Sequence, residues 1–261
     1  MAGCVTVMLI FRIFTIGTGI DMKLQDFKAL TFDCYGTLID WETGILTALQ
    51  PLLQKGGITL KRDEVLAAFA RLESAQEVAT PQMIYSELLA EVHRRLAREW
   101  NVSDDETDAV AFGKSIPDWP AFPDTVTSLQ YLQRYYKLVI LSNVDRVSFE
   151  GSNKRLVVTF DAICTAQDIG SYKPDPRNFA YLVNTVAGLG VLKRNILHTA
   201  QSLYHDHGPA QSAGLASAWI DRRNQQEGWG ATLPPEGTPR YDFRFASLAE
   251  MVKAHQAQIS G

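Results

Sequence analysis

Cysteine and histidine are scarce in this 261-residue chain, and that limits what it can be. There are three cysteines, Cys4, Cys34 and Cys164, at no metal-ligand spacing, and five histidines in all. An odd cysteine count without a pairing pattern suits a reducing cytoplasm better than a secreted disulfide scaffold. Excess positive charge is missing as well. Lysine and arginine number 25 against 29 acidic residues, giving a net charge of −4 and a pI near 5.8. This argues against a nucleic-acid binder or a polybasic membrane binder, and an anionic substrate would need a local positive pocket. No clean membrane-spanning run is present. The stretch VTVMLIFRIFTIGTGI at 5–20 is interrupted by Arg12, and it lacks the basic start and small-residue cleavage site of a signal peptide. Residues 1–21 read as an extension outside the fold, because Met22 opens MKLQDFKALTFD like a natural start. Internal repeats and low-complexity segments are absent from the sequence.

What is present is a regular alternation. Short apolar runs at Ala29–Phe32, Leu138–Leu141, Phe160–Cys164, Ile196–Thr199 and Ala216–Ile220 read as strands. Helical patterns lie between most of them, at Thr125–Tyr135, Arg177–Val186 and Gly208–Ala213, and a last helix is expected over Ser247–Gln258. Buried strands alternating with helices imply a doubly wound, Rossmann-like parallel α/β core. The segment 43–115 carries only helical periodicity, and the prolines of IPDWPAFPD mark its return. It reads as a helical cap inserted after the first strand, with the core formed by 22–42 and 116–261. The stretch NQQEGWGATLPPEGTPRYDF reads as a long Gly/Pro-rich loop.

Ligands of open parallel sheets bind beyond the carboxyl ends of the strands, so the residues that follow each run matter most. Asp33 and Thr37 follow the first, and Ser142 and Asn143 follow the second. Lys173 comes after the third in SYKPD, and Gln201, Ser202 and Asp206 come after the fourth. A carboxylate at the end of a buried strand is costly unless it is paired or used. Cys34 is expected to point to the opposite face from Asp33 and Tyr35, as a buried structural thiol. His205 and His207 are expected to flank a helix start rather than to bind metal, and His93 to be structural. Trp41 is read either as a wall of the cap–core cleft or as packing.

The segments FDCYGTL, LSN, YKPDP and AQSLYHD occur in an order that resembles the four motifs of the haloacid dehalogenase superfamily. By that resemblance, Asp33 is the nucleophile, Ser142 the second-motif hydroxyl, Lys173 the third-motif lysine and Asp206 the fourth-motif acid. Phosphatases of the superfamily usually carry a second Asp where this chain has Tyr35, and a magnesium-binding acid where it has Gln201. An alkoxide leaving group needs a proton and a phosphate dianion needs a hard cation, whereas a halide leaves unaided. The form FDxYGTL…LSN…YKPD resembles the L-2-haloacid dehalogenase branch. It implies attack by Asp33 on the halogen-bearing carbon of a small 2-haloacid, an aspartyl ester, and hydrolysis assisted by Asp206. Lys173 would keep Asp33 ionised, and Thr37, Ser142 and Asn143 would hold the substrate carboxylate or the Asp33 oxygens. Tyr35 and a cap arginine, matched here by Arg71, complete the substrate-binding set. The chain departs from that branch at Phe179, Leu203 and Gln201, where a Tyr, an Asn and a Ser are usual. The resemblance implies no cofactor, a small anionic substrate, no nucleic-acid or membrane partner, and a plausible homodimer. A magnesium-dependent phosphatase and a non-catalytic binding member are the alternatives.

Overall fold

The structure is a computed structural model that describes residues 22–103, 105–224, 226–235 and 237–260; the extension at 1–21, with Cys4, lies outside the described residues. Six parallel strands form one sheet in the order β3-β2-β1-β4-β5-β6. They are β1 (Ala29–Phe32), β2 (Lys137–Ser142), β3 (Ala162–Thr165), β4 (Ile196–Ala200), β5 (Ala216–Ile220) and β6 (Phe243–Phe245). The described residues contain ten α-helices: α1 (Trp41–Lys55), α2 (Arg62–Ala79), α3 (Tyr85–Glu99), α4 (Glu106–Gly113), α5 (Thr125–Leu132), α6 (Arg146–Leu156), α7 (Ala166–Ile169), α8 (Pro176–Gly188), α9 (Gly208–Ser212) and α10 (Leu248–Ser260). Among the described residues, no helix is long and apolar enough to cross a membrane.

Strand alternation sorts the core into two layers. Leu30, Phe32, Leu138 and Ile140 belong to one buried cluster. Ala29, Val139, Leu141 and Cys164 belong to the other, packed with Phe179 and Leu182 of α8. Chain direction across the sheet reverses between β1 and β4, which makes a crevice at their carboxyl ends. Asp33 is the first residue past β1 and therefore stands in that crevice.

The structure adds β6, α6 and the short α7 to the expected set. β6 is only three residues long and ends the Gly/Pro-rich stretch, so it has too little periodicity to be read from sequence. Helix α6 is strongly polar; it is set by Asp145, whose side chain caps it by accepting the Ser148 N–H at 2.9 Å. Cys34 is fully buried in the first cluster, where burial pushes its thiol well above its usual range.

Helices α1–α4 form a layer that contributes residues to the walls of the crevice. Phe69 anchors this layer, edge-on to Trp41 at 6.1 Å and to Phe112 at 6.3 Å. Gly44 of α1 admits the Trp119 ring, because a Cβ there would lie 2.2 Å from Trp119 Cγ. Gly44→Ala should gain about 1 kcal/mol of helix propensity but lose about 1–3 kcal/mol to overpacking. A lowered urea midpoint is expected, and a raised one would show that the indole yields freely.

Candidate active site

Lys173 occupies the centre of the crevice. Its Nζ donates to Asp33 Oδ1 at 2.9 Å, to Asp206 Oδ1 at 2.7 Å and to the Leu141 carbonyl at 3.1 Å. All three side chains are at least nine-tenths buried. Burial would push the Lys173 ammonium down, but Asp206 and Asp33 hold its pKa above the ordinary value. For Asp206 burial is likewise opposed, and Lys173 and His198 keep its carboxyl well below the usual range. At Asp33 the balance reverses. Burial raises the carboxyl, and the pull of Lys173 and of the Thr37 hydroxyl only partly offsets it. The lysine therefore restrains a rise rather than holding Asp33 at a normal acidity.

The backbone fixes these groups through a few side-chain clamps. Thr37 Oγ1 donates to Asp33 Oδ2 at 2.7 Å and accepts the Gln201 N–H at 2.9 Å, which ties the β1 loop to the β4 loop. Asn143 grips the Lys173 peptide unit at both ends, accepting its N–H at 2.7 Å and donating to its carbonyl at 3.0 Å. Gly36 takes a φ of +92°, and a Cβ there would stand 2.9 Å from the Trp41 indole nitrogen. Asp206 lies in a wide π-type turn, Leu203–His207, in which three consecutive side chains, His205, Asp206 and His207, are all buried.

Of the expected residues, Asp33, Tyr35, Ser142, Asn143, Lys173 and Asp206 line one cavity with about 30 Å³ of solvent-accessible space. Thr37 acts from beside it through Asp33. Arg71 is a correction to the expected set. It points out of the layer and pairs with Glu99 at 2.5 Å, with its side chain about half exposed. Its helix presents Glu73 and Glu77 to the cavity instead, beside Tyr85 and Trp41. Tyr85 Oη donates to Glu73 Oε1 at 2.5 Å, and Asn143 Nδ2 donates to Glu77 Oε1 at 2.9 Å. Gln201 lines a different pocket, beside Trp219 and Arg223.

His198 is a further residue that the motifs do not reveal. It is completely buried in β4, in register with Thr31 of β1, and its Nδ1 lies 2.9 Å from the Thr31 hydroxyl. Its Nε2 lies 3.0 Å from Asp206 Oδ1. With the proton on Nε2 the ring donates to Asp206 Oδ1 and accepts from the Thr31 hydroxyl, which pairs both ring nitrogens. His207 is held by Ser217 and by the Ala200 carbonyl, whereas His205 faces the cavity; burial lowers both to about 4.

The cavity contains polar atoms without a hydrogen-bond partner among the described residues: Ser142 Oγ, Asp206 Oδ2, Glu73 Oε2 and His205 Nε2. Leaving buried polar atoms unsatisfied is costly, so such a cluster calls for a ligand or ordered water to complete it. A magnesium ion bridging the two aspartates fits poorly here. The Lys173 ammonium already bridges Asp33 Oδ1 and Asp206 Oδ1, Thr37 holds Asp33 Oδ2, and Gln201 faces elsewhere.

Burial raises Glu73 from 4.5 to about 7, so its neutral form is favoured in the folded protein. Stability from such a group is fully present below pH 4.5 and is lost as pH rises through 7. Glu73→Gln removes that loss while keeping an acceptor for Tyr85. Urea midpoints at pH 5 and pH 8 should diverge, with the variant gaining about 3 kcal/mol relative to wild type at the higher pH. Parallel behaviour at both pH values would mean that the carboxyl is not buried as described.

A family model for haloacid dehalogenase-like hydrolases matches residues 27–198, more than half of the chain. Among curated proteins, (S)-2-haloacid dehalogenase 4A from Burkholderia cepacia is 22% identical over 239 residues, covering 88% of this chain and 93% of the relative. Among solved structures, the L-2-haloacid dehalogenase from Xanthobacter autotrophicus with covalently bound chloropropionic acid superposes with a TM-score of 0.71 at 17% identity, covering 88% of this chain and 98% of that one. The magnesium-bound HAD-hydrolase YfnB from Bacillus subtilis gives a TM-score of 0.69 at 19% identity, covering 88% and 99%. These likenesses establish the shared α/β fold, and the family match adds the enzyme class. The chain belongs to the haloacid dehalogenase-like hydrolases.

Proposed function

We propose that this enzyme displaces a halide from a small 2-haloacid, with Asp33 as nucleophile and without a metal ion. The observation that carries the reading is the pair of replacements at the phosphatase positions: Tyr35, with its hydroxyl 2.8 Å from Ser152 Oγ, where a proton-donating acid would stand, and Gln201, lining a different pocket, where a metal-binding acid would stand. One Asp33 oxygen attacks the halogen-bearing carbon from the side opposite the halide, forming an aspartyl ester and releasing the halide. The Ser142 hydroxyl, a donor with no partner among the described residues, holds the substrate carboxylate. The small cavity limits the substrate to a few heavy atoms.

Water then attacks the ester carbonyl, restoring the Asp33 carboxylate and releasing the 2-hydroxy acid. Asp206 keeps Oδ1 on Lys173 and His198 and turns Oδ2 to that water. Its depressed pKa makes it a weak base, so its main task is to orient the water. Tyr35 supports the choice of a halide over an alkoxide. Its hydroxyl is 2.8 Å from Ser152 Oγ, and burial raises its pKa well above the ordinary value, so it is a poor proton donor to an alcohol. A family hydrolase of this kind, with the cysteine usage described, is placed by our reading in the cytoplasm.

Halide release from 2-chloropropionate should persist in EDTA and be abolished in Asp33→Asn. Asp206→Asn should slow turnover by about 10²–10⁴-fold and accumulate the ester, seen as a mass increase on the Asp33 peptide. Magnesium-dependent release of phosphate from p-nitrophenyl phosphate, with no halide released, would sink the reading in favour of a phosphatase.

A further inference from the structure

Asp33 and Asp206 share the one ammonium of Lys173, so with both ionised the cavity floor carries a negative charge in excess. No arginine or second lysine among the described residues lines the cavity, and Arg71 is turned away toward Glu99. A substrate carboxylate brings a further negative charge into this space and needs hydrogen-bond donors there. Ser142 Oγ is one. On the helical wall the unpartnered atom is Glu73 Oε2, which donates only while it carries a proton.

We infer that Glu73 recognises the group attached to the halogen-bearing carbon, donating from Oε2 to a carboxylate when protonated and accepting from an amide N–H when ionised, so that the site turns over 2-haloamides as well as 2-haloacids. This rests on the Asp33 displacement proposed above and extends its substrate class. An amide keeps the carbonyl oxygen that Ser142 binds, brings no charge, and offers an NH2 in place of the second carboxylate oxygen.

The geometry of Glu73 suits that role. Its Oε1 is fixed by the Tyr85 hydroxyl at 2.5 Å, so the carboxyl is held by one oxygen and presents the other. Glu73 is only 3% exposed, so bulk water does not satisfy Oε2.

The groups around Glu73 leave it as the one that changes charge near neutral pH. Tyr85 of α3 and Tyr172 before Lys173 are phenols that burial raises above their ordinary range, so both stay neutral. His205 is lowered to about 4 and is neutral as well; its Nε2 lies 3.8 Å from Glu77 Oε2. Glu77 accepts from Asn143 and is raised well above its ordinary value by burial and by Glu73. On the floor, Lys173 is raised and Asp206 is lowered, so neither changes charge near neutral pH. Asp33 is raised, but both substrates need it ionised, so its titration cancels from their ratio. Glu73 itself titrates at about 7.

The bonds exchanged are the same for both substrates. Asp33 oxygen bonds to carbon, and the carbon–chlorine bond breaks with its electron pair leaving as chloride. Water then hydrolyses the ester, which restores the Asp33 carboxylate and releases the hydroxy acid or hydroxy amide with one proton. The sum is R–Cl and water giving R–OH, chloride and a proton.

The test follows chloride release from 2-chloropropionate and 2-chloropropionamide as kcat/KM at pH 6 and pH 8, with Asp33→Asn as the blank for uncatalysed alkylation. In wild type the amide-to-acid ratio should rise about 10-fold between the two pH values, as the protonated form of a group titrating near 7 is lost. In Glu73→Gln the side-chain oxygen accepts from Tyr85 and the NH2 takes the place of Oε2, a donor at every pH. The ratio should therefore be the same at pH 6 and pH 8 in the variant. A wild-type ratio that ignores pH, a rise that survives in the variant, or chloride from the acid alone at both pH values would overturn the inference. Chloride from neither substrate in wild type would instead overturn the Asp33 displacement reading, and this inference with it.

Discussion

A single buried ammonium determines how much negative charge this crevice can hold. Asp33 and Asp206 come from different strand ends, and at a few ångströms' separation in a low-dielectric interior their mutual repulsion would force one to take up a proton. Lys173 opposes this by bonding to both, and its own position is set by Asn143 and by the Leu141 carbonyl. His198 adds a second donor to Asp206, with a β-strand threonine behind it. Without the ammonium, the strand-end carboxylate would be only an uncompensated burial cost.

The two aspartates share one cation, but their acidities diverge. Asp206 collects two donors on one oxygen and is held strongly acidic, while Asp33 receives one lysine bond and one hydroxyl bond and lies above its usual value. Such divergence between neighbouring titratable groups is how one site assigns different tasks to chemically identical side chains. The helical layer extends the pattern with a second carboxyl pair, Glu73 and Glu77, which is biased toward the neutral form by burial. The cavity thus has a floor of paired charges and a wall whose carboxyls burial shifts toward the neutral form.

The sheet and the residues at its strand ends were legible in the sequence because both obey local rules. Apolar four- to six-residue runs have one economical use in an alternating chain, and the topology then delivers their following residues to one edge. The wall was harder to read. Arg71 was the positional match to the cap arginine that the resemblance implies, but a helix turns about 100° per residue, so a shift of two positions separates a cavity-facing side chain from an exposed one. A signal was nonetheless available. Leu66, Phe69 and Ala70 form a buried stripe on α2, and the same 3.6-residue period carries it through Glu73 to Glu77. Two carboxylates continuing an apolar stripe point inward. His198 had no such signal, since its role depends on β1–β4 register and on the π-type turn, neither of which is local.

The bond between Thr31 and His198 has a consequence for inheritance. Each residue is completely buried, and each completes the other's hydrogen bonding across two strands that are distant in sequence. Replacing the histidine alone strands a hydroxyl and weakens support for Asp206, and replacing the threonine alone frees the ring to turn. A change at position 31 or 198 is therefore tolerated best when the other position changes with it.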